Sequence, residues 1–338
     1  MSRRLRPILQ LTVSVGLVGL LLWWMPDGTL SGLAGAAPGW VLAGVLAYLA
    51  GQTVSGLRFF FLVAPALAVQ AGTERGARSS DTNAPQGTET DPQRMFRRQT
   101  LTPWMAVRAT ILGTFAGTFL PVNAGGDVIK LAWLTRRLGG DSAPVVAAGM
   151  VVERLSGVLV TLAFCGAVGA ALSLEWRACG LLPGKTALIL LVACAALGGA
   201  GLVLLTRSAA PWAERARELL RRAGAAVRWW RDHPGRIAAC LGFSLLNLLC
   251  GSLVILVLGA AVGQHLTALQ ALAAIGLTTL TTYLPISISG LGVMEAGLAG
   301  LLTVFAYPPA TAVQVAVLLR LVGVAAVLPG AFFWRGRT

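Results

Sequence analysis

Seven ionisable residues stand inside or at the edge of long apolar runs: Arg58, Arg108, Asp127, Glu153, Arg154, Glu295 and Arg320. A charge at the centre of a bilayer costs at least about 2.5 kcal/mol unless it is paired or hydrated. Each of these residues therefore needs a partner or a task. Arginine offers a planar fork of donors that matches a phosphate, and a carboxylate opposite can hold that fork or give it up to a ligand. Arg58, Arg154 and Arg320 lie in mid-run, too deep to snorkel to water, and are expected to line one central cavity that takes an anionic headgroup. The competing expectation is a static ion network that fixes helix packing. Asp127 and Glu295 fall where half-helices begin. There the helix dipole is expected to stabilise them, leaving the arginines spare capacity for a phosphate. Glu153 and Arg154 are neighbours, about 100° apart around a helix, and should take different partners. Arg108, nearer a mouth, can reach the headgroup layer. Asn123 and Ser287, small polar residues in two broken segments, complete the candidate headgroup site.

Little else in the chain suggests chemistry. Cys165, Cys179, Cys194, Cys240 and Cys250 are scattered and form no CxxC pair; they read as small buried hydrophobes. His233 and His265 stand apart, without the company a metal needs. No GxxxxGK[ST] loop is present, which argues against direct ATP hydrolysis. No catalytic residue, metal or cofactor is expected.

Elements able to carry buried charges follow from composition. The 338 residues are 56% hydrophobic and 12% charged, with a mean hydropathy of +0.75. A soluble domain carries about 25% charged residues. That contrast excludes an ordinary cytosolic enzyme, a disordered chain and a disulfide-stapled module. The net charge of +14 would suggest nucleic acid in a soluble chain. Here the basic residues sit between apolar runs, so they read as membrane-flanking charges and no nucleic-acid partner is expected. The fold class is all-α and polytopic.

A hydrocarbon core of about 30 Å takes about 20 apolar residues as a helix. Full spans are expected at Ile8–Met25 (a retained helix, not a cleaved signal), Trp40–Val69, Ser142–Leu174, Thr186–Thr206, Arg236–Val262 and Ala310–Phe333. Gln70–Thr100 lacks periodicity and reads as a flexible cytoplasmic insertion. Pro211–Asp232 reads as a basic amphipathic surface helix. Two further apolar stretches, Pro103–Leu138 and Thr267–Ala306, are interrupted, the first by Pro121, Gly125 and Gly126, the second by Pro285, Gly290 and Gly292. If each dips in and returns, 22 of the 27 basic residues fall on one face, among them the Lys130–Arg137 stretch, and only Arg177 and Lys185 on the other. By the positive-inside rule that face is cytoplasmic and holds both termini. The expected location is the bacterial inner membrane.

The two broken segments also match each other. Thr118-Phe-Leu-Pro-Val-Asn-Ala-Gly-Gly126 and Thr282-Tyr-Leu-Pro-Ile-Ser-Ile-Ser-Gly290 agree in residue type, position by position, at an offset of 164 residues. Each half then holds three spans and one re-entrant hairpin. Three is odd, so the halves (1–174 and 175–338 of a single transmembrane domain) insert in opposite senses. Inverted repeats with paired helix breaks are a transporter signature.

The run Phe119-Leu-Pro-Val-Asn-Ala-Gly-Gly-Asp127, then Val152-Glu-Arg154, then Leu284-Pro-Ile-Ser-Ile-Ser-Gly-Leu-Gly-Val-Met-Glu295 resembles the lysylphosphatidylglycerol synthase transmembrane region, a family also described as flippase-like. The resemblance covers nearly the whole chain apart from the Gln70–Thr100 insertion. It implies a membrane unit that moves or binds an anionic or aminoacylated (glyco)lipid, with Asp127, Glu153, Arg154 and Glu295 at the matching motif positions. Full-length members carry a soluble aminoacyltransferase after this unit. This sequence stops at Thr338, so that activity is not expected of it. Implied partners are membrane lipids with a phosphate-bearing headgroup and enzymes of lipid or hopanoid synthesis. A membrane-embedded lipid-modifying enzyme using Asp127, Glu153 or Glu295 as base, and an accessory scaffold, remain the alternatives.

Topology can be tested by labelling. Gly139→Cys should react with an impermeant thiol reagent from the cytoplasmic side and Gly263→Cys from the opposite side. Labelling of position 139 only from outside would exclude the first hairpin.

Overall fold

The computed structural model describes residues 29–80, 100–119, 125–178, 232–283 and 292–335. The expected spans Ile8–Met25 and Thr186–Thr206 lie outside the described residues. So do Pro121, Asn123, Pro285, Ser287, Gly290 and all but the last residue of the surface helix expected at 211–232.

Among the described residues every element is helical. They are α1 (Thr29–Ala34), α2 (Pro38–Ser80), α3 (Pro103–Phe119), α4 (Gly125–Leu138), α5 (Ala143–Ala178), α6 (Pro234–Ala261), α7 (Ala268–Tyr283), α8 (Val293–Val304), α9 (Pro309–Val327) and α10 (Gly330–Arg335). Among the described residues, four stretches are long and apolar enough to cross a membrane: Pro38–Gln70, Gly140–Leu172, Pro234–Ala261 and Pro309–Phe333. The chain is a multi-pass membrane protein. The 14 residues of α4 and the 12 of α8 fall short; at 1.5 Å per residue they reach only about 20 Å, against a core of about 30 Å.

Local sequence sets the helix ends. Thr102 caps α3, its hydroxyl accepting the Met105 N–H at 3.2 Å, and Pro103 follows at the first helical position. Thr267 and Gln270 form a reciprocal capping box at the start of α7: the Thr267 N–H donates to Gln270 Oε1 (2.9 Å) and the Gln270 N–H to Thr267 Oγ1 (3.3 Å). α6 opens on Pro234 and closes on Gly263, whose φ of 76° reverses the chain.

Two boundaries differ from the sequence expectation. α2 continues to Ser80, so the first ten residues or so of the expected insertion are helical. Extending an existing helix adds one hydrogen bond per residue fixed and needs no new nucleus, so a polar sequence can follow an apolar one without a break. α5 likewise runs to Ala178, past the expected end of that span at Leu174.

α2 and α6 pack along their length at the centre of the molecule. Around them lie two buried apolar clusters. One gathers Phe59, Leu62, Val63, Leu134 and Val146; the other gathers Ile255, Leu258, Leu298, Leu302 and Val322. α4 folds against α3, and α8 against α7. The α3–α4 contact is backbone to backbone: a Cβ on Gly126 would stand 2.2 Å from the Gly113 carbonyl oxygen. Close approach at small residues is how helices associate where lipid removes the hydrophobic drive.

Gly126→Ala should therefore force α4 off α3 and cost about 1–3 kcal/mol, the usual penalty of overpacking. Gly166→Ala, whose Cβ meets nothing within 4 Å, should be neutral. Thermal unfolding in detergent distinguishes the two.

Candidate functional site

A cavity of about 780 Å³ opens between α2, α3, α4, α5, α7 and α9. α8 adds Met294 to its wall, and α2 and α3 each present a polar stripe to it. On α2 the stripe is Tyr48, Ser55 and Arg58. On α3, Thr110, Thr114 and Thr118 recur every four residues, with Gly113 and Gly117 between them. Threonine tolerates this depth because its hydroxyl can bond within its own helix: Thr118 donates to the Thr114 carbonyl at 2.8 Å. The Thr114 hydroxyl lies 3.0 Å from both the Thr110 carbonyl and Gln52 Oε1, tying α3 to α2. Thr110 Oγ1 is buried with no hydrogen-bond partner among the described residues.

The charges divide into three groups. Glu153, buried on α5, accepts from Arg58 Nη2 and from Lys130 Nζ, both at 3.0 Å, and from Ser55 Oγ at 3.4 Å. Arg58 also donates to Ser244 Oγ on α6 (2.8 Å), and the Lys130 ammonium sits 3.9 Å from the centre of the Phe59 ring. This triad joins α2, α4, α5 and α6 around one carboxylate. Arg154 donates from Nε to Asp127 Oδ2 at 2.6 Å in a half-exposed pair. Arg320 pairs through Nε with Glu295 Oε1, while Glu295 Oε2 accepts the Gly292 N–H (2.8 Å) and so closes the first turn of α8. Gly292 has φ 81°, a backbone conformation suited to glycine.

The structure thus puts Arg58, Asp127, Glu153, Arg154 and Arg320 on one cavity, with Glu295 directly behind Arg320. Glu153 and Arg154 take different partners, as their angular separation requires. Gly125 and Gly126 fall within the first turn of α4, and Gly292 immediately precedes α8. Arg108 is not in this cavity.

Two expectations need correction. The acids at the starts of α4 and α8 do not leave their arginines spare; each is ion-paired. Helix-dipole stabilisation is worth about 0.3–1 kcal/mol, too little to replace a counter-charge for an arginine away from water. Lys130, placed by the charge argument among cytoplasmic basic residues, is 5% exposed and belongs to the site. The sequence signal was available: Lys130 follows Asp127 by three residues and so shares its helix face. Among the described residues, four cations (Arg58, Lys130, Arg154, Arg320) now face three carboxylates. The spare positive charge resides in the triad.

The model of the family described as the lysylphosphatidylglycerol synthase TM region matches residues 8–330. No curated protein and no solved structure matches.

Burial orders the cost of breaking these pairs. Removing one partner of a buried ion pair costs about 3–5 kcal/mol because the other charge is left uncompensated. Glu153→Gln strands both Arg58 and Lys130 and should lower thermal stability by that order. The Asp127–Arg154 pair is 38% and 54% exposed in its side chains, and Arg154→Gln should cost about 1 kcal/mol or less. Melting curves of the two variants in one detergent provide the comparison.

Proposed function

The chain belongs to the lysylphosphatidylglycerol synthase transmembrane-region family, with a function tied to membrane lipid, and from that premise we propose that it is a lipid translocator. Its cavity receives the phosphate-bearing headgroup of an anionic or aminoacylated lipid and carries it between leaflets of the bacterial inner membrane. Both termini lie in the cytoplasm. α3/α4 and α7/α8 are re-entrant hairpins entering from opposite faces, and the two halves are inverted repeats.

The observation that carries this reading is a cavity among the apolar helices in which, among the described residues, the cations exceed the carboxylates by one. A phosphate diester brings one negative charge on two non-bridging oxygens, which complements a guanidinium or ammonium held away from water. The inverted repeat is supported by packing. Exchanging α2 with α6, α3 with α7, α4 with α8 and α5 with α9 leaves the contacts among these eight helices unchanged. It is supported again by the ion pairs. Asp127 and Glu295 are each the third residue of their helix, and their partners Arg154 and Arg320 are each the twelfth of theirs.

The triad departs from that symmetry. Counted along the helices, Lys130 corresponds to Leu298 and Glu153 to Leu319. The extra cation is therefore peculiar to the first half, which favours a ligand role over a scaffold shared by both halves. The three carboxylates are each held by at least one cation. Carboxylates committed to cations in this way favour binding and movement of lipid over its chemical modification.

Reconstitution into liposomes with a headgroup-labelled phosphatidylglycerol tests this. The wild-type chain should speed leaflet exchange, and Lys130→Gln should slow it by about tenfold or more, the loss expected for one charge-assisted hydrogen bond. Exchange of a zwitterionic lipid should respond less. A chemically altered lipid in the product analysis, with no exchange, would replace this reading by the enzymatic one.

A further inference from the structure

A second cavity, of about 350 Å³, lies at the other end of the α3/α4 pair, between the first turns of α3 and the last turn of α4. Two arginines and two tryptophans dominate its wall: Arg108 and Trp104 from α3, Arg137 and Trp133 from α4. Among the described residues no carboxylate lines it. The Arg108 guanidinium stands 4.8 Å from the centre of the Trp104 ring and 5.2 Å from that of Phe333 on α10; Arg137 stands 4.2 Å from the Trp133 ring. A guanidinium laid on aromatic faces is held in place without using its in-plane N–H donors. For Arg108 those donors remain for a ligand. Arg108 has neither an ion pair nor a hydrogen bond among the described residues, and its Nε is buried.

A partly buried cation without a counter-charge among the described residues is costly, so Arg108 favours an anionic ligand. Trp104 is 56% exposed, and tryptophan concentrates at the membrane–water boundary. Both features fit a ligand that arrives along that boundary. We propose that Arg108 and Arg137 form a phosphate-binding port, distinct from the central cavity, that takes the phosphate of a lipid headgroup or a free phosphate at one membrane face only.

Two features of the fold sharpen this. Gly126, Lys130, Trp133 and Arg137 succeed one another on α4 at helical spacing, so the port and the central cavity lie along one helix face. Lys130 and Arg137 are two turns apart, about 10 Å. In addition, the equivalent positions of the second half, counted along α7 and α8, are Leu269 and Ala273 for Trp104 and Arg108, and Leu301 and Phe305 for Trp133 and Arg137. None carries a cation. The port belongs to the open end of α3/α4 and has no counterpart at α7/α8, so the molecule presents phosphate-binding capacity to one side of the membrane.

Equilibrium binding of dihexanoyl phosphatidic acid and of inorganic phosphate to the full chain in detergent tests the port, independently of whether the central cavity moves lipid. The measurements use the Lys130→Gln background, so that the central cavity contributes least. Removing both arginines (Arg108→Gln with Arg137→Gln) should weaken dihexanoyl phosphatidic acid binding by about tenfold or more. The melting temperature should hardly move, because neither residue is placed in the ion-pair network of the central cavity. If inorganic phosphate binds with the same dependence on the two arginines, the port serves free phosphate; if only the lipid does, it serves a headgroup. Affinity for both probes within twofold of the background would overturn the proposal. Should the double variant unfold, the charge-preserving Arg108→Lys and Arg137→Lys variants are measured instead. Loss of the planar donor fork should then weaken binding about threefold, and no change would equally overturn it.

Discussion

Everything else in this fold is arranged around one carboxylate that cannot be left alone. Glu153 is buried in a membrane protein, and its two oxygens are satisfied by Arg58 and Lys130 from two different helices. Two cations on one anion is an unusual balance at that depth. It holds because Ser244 takes a further Arg58 donor and the Phe59 ring face lies against the Lys130 ammonium. The triad thereby fixes the register of α2 and α4 against α5, and of α2 against α6. The small-residue contacts at Gly126 and Gly113 must then close at the same register. Position and charge are set by a single cluster.

The other two ion pairs serve a different purpose. Each ties the first turn of a short helix to the middle of the long helix that follows it, Asp127 to Arg154 and Glu295 to Arg320. Any helix has unsatisfied amides at its start. A carboxylate in the first turn offsets that local positive potential while also neutralising an arginine. In the second half the same residue does both tasks visibly, since Glu295 accepts the Gly292 amide with one oxygen and holds Arg320 with the other.

Much of this was legible in the sequence because membrane burial makes polar residues conspicuous. Arg58, Arg154 and Arg320 stood out against apolar neighbours, and the structure puts them on one cavity. The interrupted runs 103–138 and 267–306 do resolve into paired short helices. Lys130 was hidden for the opposite reason. It lies close to Arg136 and Arg137, and a lysine beside other basic residues reads as a flanking charge; only its position relative to Asp127 on the helix separates it. The pairing of Asp127 and Glu295 could not be read either, because it depends on how deep each helix start lies and on which long helix passes it. The extension of α2 to Ser80 was obscured by composition, since a polar stretch continuing an apolar helix carries no periodic signal of its own.

The bare contact between α3 and α4 has a mechanical consequence. Most helix pairs are locked by interdigitated side chains, and shifting one along the other requires rotamers to reset. At Gly113, Gly117 and Gly126 there are no such teeth; one backbone lies directly on another. Small sliding of packed helices is an established mode of conformational change, and a smooth track offers it little side-chain resistance. A slip of α4 along α3 would carry Asp127 and Lys130 together, lengthening or shortening their contacts with Arg154 and Glu153 in a single stroke. The short helix is in this sense a slider whose latch is electrostatic, and any anion entering the cavity would compete for that latch.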